Sequence, residues 1–144
     1  MLNNIIESNP FKEIAQKHIY ELLNFILEKG IEFSIVVNIE AVKFKPKLPS
    51  NIQDNFSKFS LFSLVGYTLQ STTIDKEFLF FEAGFGKENI GSVLQIPLHS
   101  IFQIILEDNI IYINLTATVD KFNKDLKNSS LNKFKNNPNN KKFS

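Results

Sequence analysis

The sequence predicts a small α+β domain: one N-terminal helix packed on a strongly bent antiparallel β-sheet or barrel, followed by a disordered C-terminal tail. Three observations predict it. Apolar residues recur at helical spacing between Asn9-Pro10 and Gly30. Several short runs rich in β-branched and aromatic residues follow, separated by turn-forming residues. From Asp120 onward Lys, Asn and Ser take over. A chain of 144 residues with 43% hydrophobic residues and 15 Phe is one domain by length and can bury a real core. The boundaries read as a body over 1–119 and a tail over 120–144.

The helix is bounded by recognisable signals. Asn9 can cap it, and Pro10 fits the first helical position, where no N–H bond is lost. Gly30 is the matching stop. Phe11, Ile14, Ala15, His18, Leu22, Phe25 and Ile26 follow helical spacing, and Ile19, Leu23 and Leu27 form an adjoining stripe. The combined arc is wider than one core contact requires. Either the helix is clamped deep on a sheet, or one stripe meets the sheet and the other meets a second copy of the helix. His18 reads as a packed or partly exposed histidine rather than a ligand, because the only other histidine, His99, is distant in sequence.

The strands follow in order. Glu32–Ile39 is rich in β-formers. Lys43-Phe44-Lys45-Pro46-Lys47-Leu48-Pro49 suits a strand end and an exposed loop, and the polar stretch from Asn51 to Ser57 suits a loop. Phe59–Val65 is a second strong strand, with Gly66 as a bulge or turn. Tyr67–Thr73 reads as its continuation or the start of the next strand, and Asp75-Lys76 as a turn. The chain is organised around the hairpin that comes next. One strand, Glu77–Phe85, ends in Ala83-Gly84-Phe85-Gly86, and a second, Gly91–Ile96, returns after a polar loop. Pro97 then opens a one-turn segment, Glu107-Asp108 reads as a turn, and Asn109–Thr118 reads as the last strand.

The tail has its own charge. Residues 120–144 hold seven Lys against two Asp, a net of +5, which leaves −4 on residues 1–119 of a chain whose total is +1. Such a segment cannot bury enough apolar surface to offset its ordering entropy. It is either a plain solvated end or a tethered docking peptide, with Leu131-Asn132-Lys133-Phe134-Lys135 and Lys142-Phe143 as the candidate elements.

Composition excludes several functions. There is no Cys, so disulfide and thiolate chemistry are excluded. There is no Arg, the usual fork for phosphate and base edges, which argues against a nucleic-acid partner. No apolar run approaches the ~20 residues of a membrane helix, and no secretory signal is visible. The expectation is a cytoplasmic protein with no membrane partner. Walker, GxGxxG, GxSxG and HExxH motifs are all absent, and two histidines leave little for a metal. Glu77 and Glu82 read as solvated strand charges in preference to an acid/base pair. No catalytic residue, metal or cofactor is expected, and the residues describe a binding module in preference to an enzyme.

The order of segments resembles the stringent starvation protein B (SspB) family of adaptors for the ClpXP protease. The resemblance covers roughly residues 20–113. Tyr20–Leu27 and Glu32–Val37 look like the family's closing helix turns and first strand. Lys47-Leu48-Pro49 and Phe59–Leu69 fall where its next segments lie. Phe80-Phe81-Glu82-Ala83-Gly84-Phe85-Gly86 is similar to its Phe-x-Ala-x-Phe-Gly segment, and Val93–Ile104 to its apolar-Pro-Leu segment. Two positions depart: Lys87 stands where the family has a second Gly, and Gly84 where it commonly has Arg.

The resemblance implies an Sm-like bent sheet and a homodimer joined through the helix, by Phe11, Ile14, His18, Leu22 and Phe25. It implies an apolar groove for an extended, ssrA-type degradation tag, formed by Phe59, Leu61 and Ser63 with Phe81, Ala83, Phe85 and Gly86. It also implies a tail that docks on the ClpX unfoldase through Leu131, Lys133, Phe134 and Lys135, or through Lys142 and Phe143. An Sm-like RNA-binding module, or a dimeric scaffold with another peptide client, are the alternatives.

Overall fold

The computed structural model describes residues 1–124. A short helix α1 (Leu2–Ile6) precedes the long helix α2 (Asn9–Glu28). The cap of α2 is Ser8, one residue earlier than Asn9: its Oγ accepts from the Phe11 N–H at 3.3 Å, and Pro10 sits in the first turn. At the other end Gly30 takes a left-handed φ of +66°. Its N–H donates to the Leu27 carbonyl, and Ile31 N–H reaches back to Ile26, which closes the helix in a Schellman turn.

Two four-stranded antiparallel sheets follow, not one bent sheet or closed barrel. The first has the order β3 (Phe59–Leu64), β1 (Phe33–Asn38), β7 (Ile101–Leu106), β8 (Asn109–Ile113). The second has the order β2 (Lys43–Lys45), β6 (Ile90–Pro97), β5 (Phe78–Phe85), β4 (Thr73–Ile74). The expected central hairpin is β5 with β6, in register from Phe78↔Pro97 to Phe85↔Ile90. The sheets meet face to face through Phe33, Ile35, Phe62 and Ile104 on one side and Leu79, Phe81, Leu94 and Ile96 on the other. Helix α2 adds Ile19, Leu23 and Ile26 to this core. Each buried aliphatic contributes about 2 kcal/mol of apolar transfer.

Four segments differ from the sequence reading, each for a local reason. The polar stretch after Pro49 forms a one-turn helix, α3 (Ser50–Gln53). Tyr67–Gln70 is no strand: Gly66, at φ +51°, turns the chain out of β3 into a short helix, α4 (Gly66–Gln70), and only Thr73 at the end of the stretch begins the next strand, β4. The one-turn segment opened by Pro97 is present as the 3-10 turn Leu98–Ser100, but it ends at Ser100, and Ile101–Leu106 forms a full strand, β7, that the sequence reading did not separate. It joins β8 through Glu107 and Asp108, both at positive φ, as a two-residue hairpin requires. Finally, the last strand stops at Ile113.

Asn114 ends that strand. Its buried amide donates to the carbonyls of His99 and Ile101, both at 3.0 Å, and its Oδ1 accepts from Thr116 N–H at 3.2 Å. This opens the 3-10 turn Leu115–Thr118. Asn38 and Asn123 both donate to the Ala117 carbonyl beside it. Residues 120–124 are helical, and Phe122 and Asn123 are buried. The packed unit therefore runs past the compositional boundary at 119 to at least 124.

Candidate functional site

The seven groove residues expected from the sequence do not line one groove. On β3 the side chains alternate: Ser60, Phe62 and Leu64 face in, while Phe59, Leu61 and Ser63 face out. Leu61 is 57% exposed, and Phe59 rests against Phe102 at 5.2 Å between ring centroids. Phe81 belongs to the core at 1% exposure, 6.0 Å from the inward Phe62. Phe85 closes a ring cluster with Phe44, Phe56 and Phe62, at 5.7, 5.9 and 6.2 Å. Ala83 shares that face of β5. Gly86 lies under Ile52 of α3, so close that a Cβ there would stand 2.8 Å from the Ile52 Cδ1. The inner face of β5 is thus occupied by the protein's own aromatic rings, and Leu61 and Ser63 point away from it.

The opposite face of β5 is open. Strand β4 pairs only with Leu79 and Phe80, so among the described residues no strand flanks β5 beyond Phe80 on that side. At this point a cleft of about 620 Å³ runs between α4 and the outer face of the sheet. Phe80 and Val93 lie on the sheet side, and Tyr67, Gln70 and Ser71 lie on the helix side. Glu82, paired in register with Val93, carries its carboxylate to Tyr67, whose hydroxyl donates to it. That hydrogen bond, with the carboxylate charge, pushes the Tyr67 phenol above its ordinary range. The Glu82 backbone N–H donates to Ser71 Oγ at 2.9 Å, and Ser71 in turn donates to the Thr68 carbonyl at 2.7 Å, which fixes α4 against β5.

This arrangement offers an extended chain an apolar wall, one acidic group and a strand edge that no strand flanks beyond Phe80, with the Glu82 N–H there already held by Ser71. Tyr67 and Glu82 were not legible as partners in the sequence, where Tyr67 reads as strand and Glu82 as a solvated charge. The available signal was Gly66, whose break in the strand brings Tyr67 across to β5. Among the described residues no group of three His, Asp or Glu could hold a metal, and no helix is long and apolar enough to cross a membrane.

The helix face named by the sequence also divides. Ala15, Ile19, Leu23 and Ile26 carry the core contact. Ile14 and Phe25 are 57% and 56% exposed, His18 is exposed, and Phe11 and Leu22 are half-buried. Leu22 packs against the edge of the core, so the stripe turned away from it is Ile14, His18 and Phe25. His99, by contrast, is buried beside Phe122, with ring centroids 6.3 Å apart. Burial and the Lys12 charge hold its pKa down at about 3, although a hydrogen bond to the Phe122 backbone opposes them. Its Nε2 has no partner.

The tail residues Leu131, Lys133, Phe134, Lys135, Lys142 and Phe143 lie outside the described residues. No protein-family model and no curated protein matches this chain.

Proposed function

We propose that the protein is a non-enzymatic adaptor of the SspB type, which holds an extended, tagged polypeptide and delivers it to the ClpXP protease. The observation that carries this reading is the cleft of Tyr67, Phe80, Glu82 and Val93, beside the edge of β5 that no described strand flanks beyond Phe80 and at which Ser71 holds the Glu82 N–H. Strand addition at such an edge supplies main-chain hydrogen bonds, and the cleft supplies a pocket for a side chain. The helix followed by two antiparallel sheets is consistent with the family's order of segments. The peptide site in this reading is the outer face of β5, in place of the inner face named from the resemblance. Delivery then works by tethering: it raises the local substrate concentration near the unfoldase without any bond being cut by the adaptor.

Fluorescence anisotropy of a labelled ssrA-type peptide tests this. Saturable binding is expected from the full chain and from a chain ending at Lys124. Tyr67→Ala should weaken it about tenfold, as loss of an aromatic anchor does, while thermal unfolding stays unchanged. Addition of the full chain should lower the KM of ClpXP for a tagged substrate. An unchanged KM at saturating protein would overturn the delivery role.

The exposed stripe of Ile14, His18 and Phe25 fits pairing with a second copy of α2, which would place two sites on one particle. Sedimentation should show a dimer that Phe25→Lys converts to a monomer. A monomeric wild type would remove this part of the reading.

A further inference from the structure

We infer that the cleft selects an extended segment bearing a basic side chain, whose ammonium or guanidinium group meets the carboxylate of Glu82 between Tyr67 and Phe80. This rests on the peptide-holding reading above and adds the chemistry of the occupant. Glu82 is the charged residue in a lining otherwise made of aromatic, aliphatic and neutral polar groups. A carboxylate has about four acceptor positions, and the Tyr67 hydroxyl occupies one of them. An occupant lying over the cleft strips water from the others. A neutral side chain leaves them unpaired, at a cost of about 1–3 kcal/mol. An acidic one adds like-charge repulsion. A basic one replaces the lost water with charge-assisted hydrogen bonds.

The rings strengthen the choice. A cation held at Glu82 has Tyr67 on one wall of the cleft and Phe80 on the other, and the face of an aromatic ring attracts positive charge. The competing charge is Lys45, which lies in the same cross-strand row: Lys45 pairs with Val93, and Val93 pairs with Glu82. Its backbone stands two strands from that of Glu82, about 10 Å at the usual strand spacing. Lys45 is not among the residues that line the cleft, whereas a bound cation would touch the carboxylate.

The test uses the full chain and three acetylated, fluorescein-labelled extended peptides that differ only in a central Lys, Gln or Glu. Acetylation removes the terminal amine as an alternative cation. Wild type is expected to bind the Lys peptide about tenfold more tightly than the Glu peptide, with the difference shrinking at high salt. Glu82→Gln, which keeps an acceptor for Tyr67, should bind all three alike, and Glu82→Lys should reverse the order. Equal binding of all three by wild type overturns the selectivity and leaves the adaptor reading standing. A Lys preference that survives Glu82→Gln overturns the assignment to this carboxylate. Failure of all three to bind while the ssrA-type peptide still binds overturns this inference alone, and failure of that peptide as well overturns the adaptor reading with it.

Discussion

Lowering the pH from 7 to about 4.5 is expected to remove about 3 kcal/mol from the stability of the fold, and His99→Leu is expected to abolish most of that loss. His99 is buried, and its folded pKa is depressed from 6.5 to about 3. Above pH 6.5 the imidazole is neutral whether the chain is folded or not, and it contributes no pH dependence. As the pH falls below that value, the unfolded chain takes up a proton that the folded chain refuses. Stability therefore declines until the folded pKa is reached, by about 5 kcal/mol across the whole window. The groups packed around the ring reinforce the refusal: Lys12 repels a charged imidazole, and the Phe122 ring that faces it has Lys12 at 4.9 Å and Lys121 at 5.3 Å from its centre. The ion pair of Asp120 with Lys58 lies on the surface and holds the Asp120 carboxyl below its usual value of 3.8, so its contribution falls away only below the interval from pH 7 to about 4.5 that the experiment compares. Urea unfolding at the two pH values measures the effect. Equal losses in wild type and His99→Leu would exclude His99 as its source.

Phe81→Ala is expected to cost about 3–5 kcal/mol, and Leu61→Ala less than about 0.5 kcal/mol. The family resemblance implies both residues as walls of one peptide groove. Phe81 is buried and touches Phe62, whereas Leu61 faces out of an edge strand. Truncating the first opens a cavity between two sheets, and truncating the second opens nothing. Denaturant midpoints separate the cases. A small cost at Phe81 would mean that the ring is not held between the sheets. The contrast also bears on binding assays: any peptide affinity lost in Phe81→Ala reports on the fold before it reports on a contact.

Much of the fold was legible because periodicity and punctuation agreed. The helix from Asn9 to Glu28 has Pro at its start and Gly at its stop, and β1, β3, β5 and β6 fall where β-formers cluster. The failures have physical causes. Phe78-Leu79-Phe80-Phe81 is apolar at every position, so alternation could not say which face of β5 turns inward; the sheet that packs on it decides. Tyr67–Gln70 has no strong propensity, and the positive φ of Gly66 decides its state. Asn114 looks like one more strand residue, yet its side chain serves three backbone groups brought together only by the fold. The site followed the same pattern. The central hairpin was found, but its binding face needed the end of β4 and the position of α4, neither of which composition encodes.

The buried Phe122 has a consequence for how the chain can be shortened. Composition invites a cut at residue 119, where the basic segment begins, yet Phe122 and Asn123 are buried against the body. A cut there strips the cover from His99 and releases the amide that Asn123 donates to the carbonyls of Ala117 and Val119. Water then reaches the imidazole, and its affinity for protons returns toward that of a free histidine. Lys121 and Lys124 are exposed on either side of this plug, so proteolysis at the first changes the acid tolerance of the whole body, whereas proteolysis at the second leaves the plug seated.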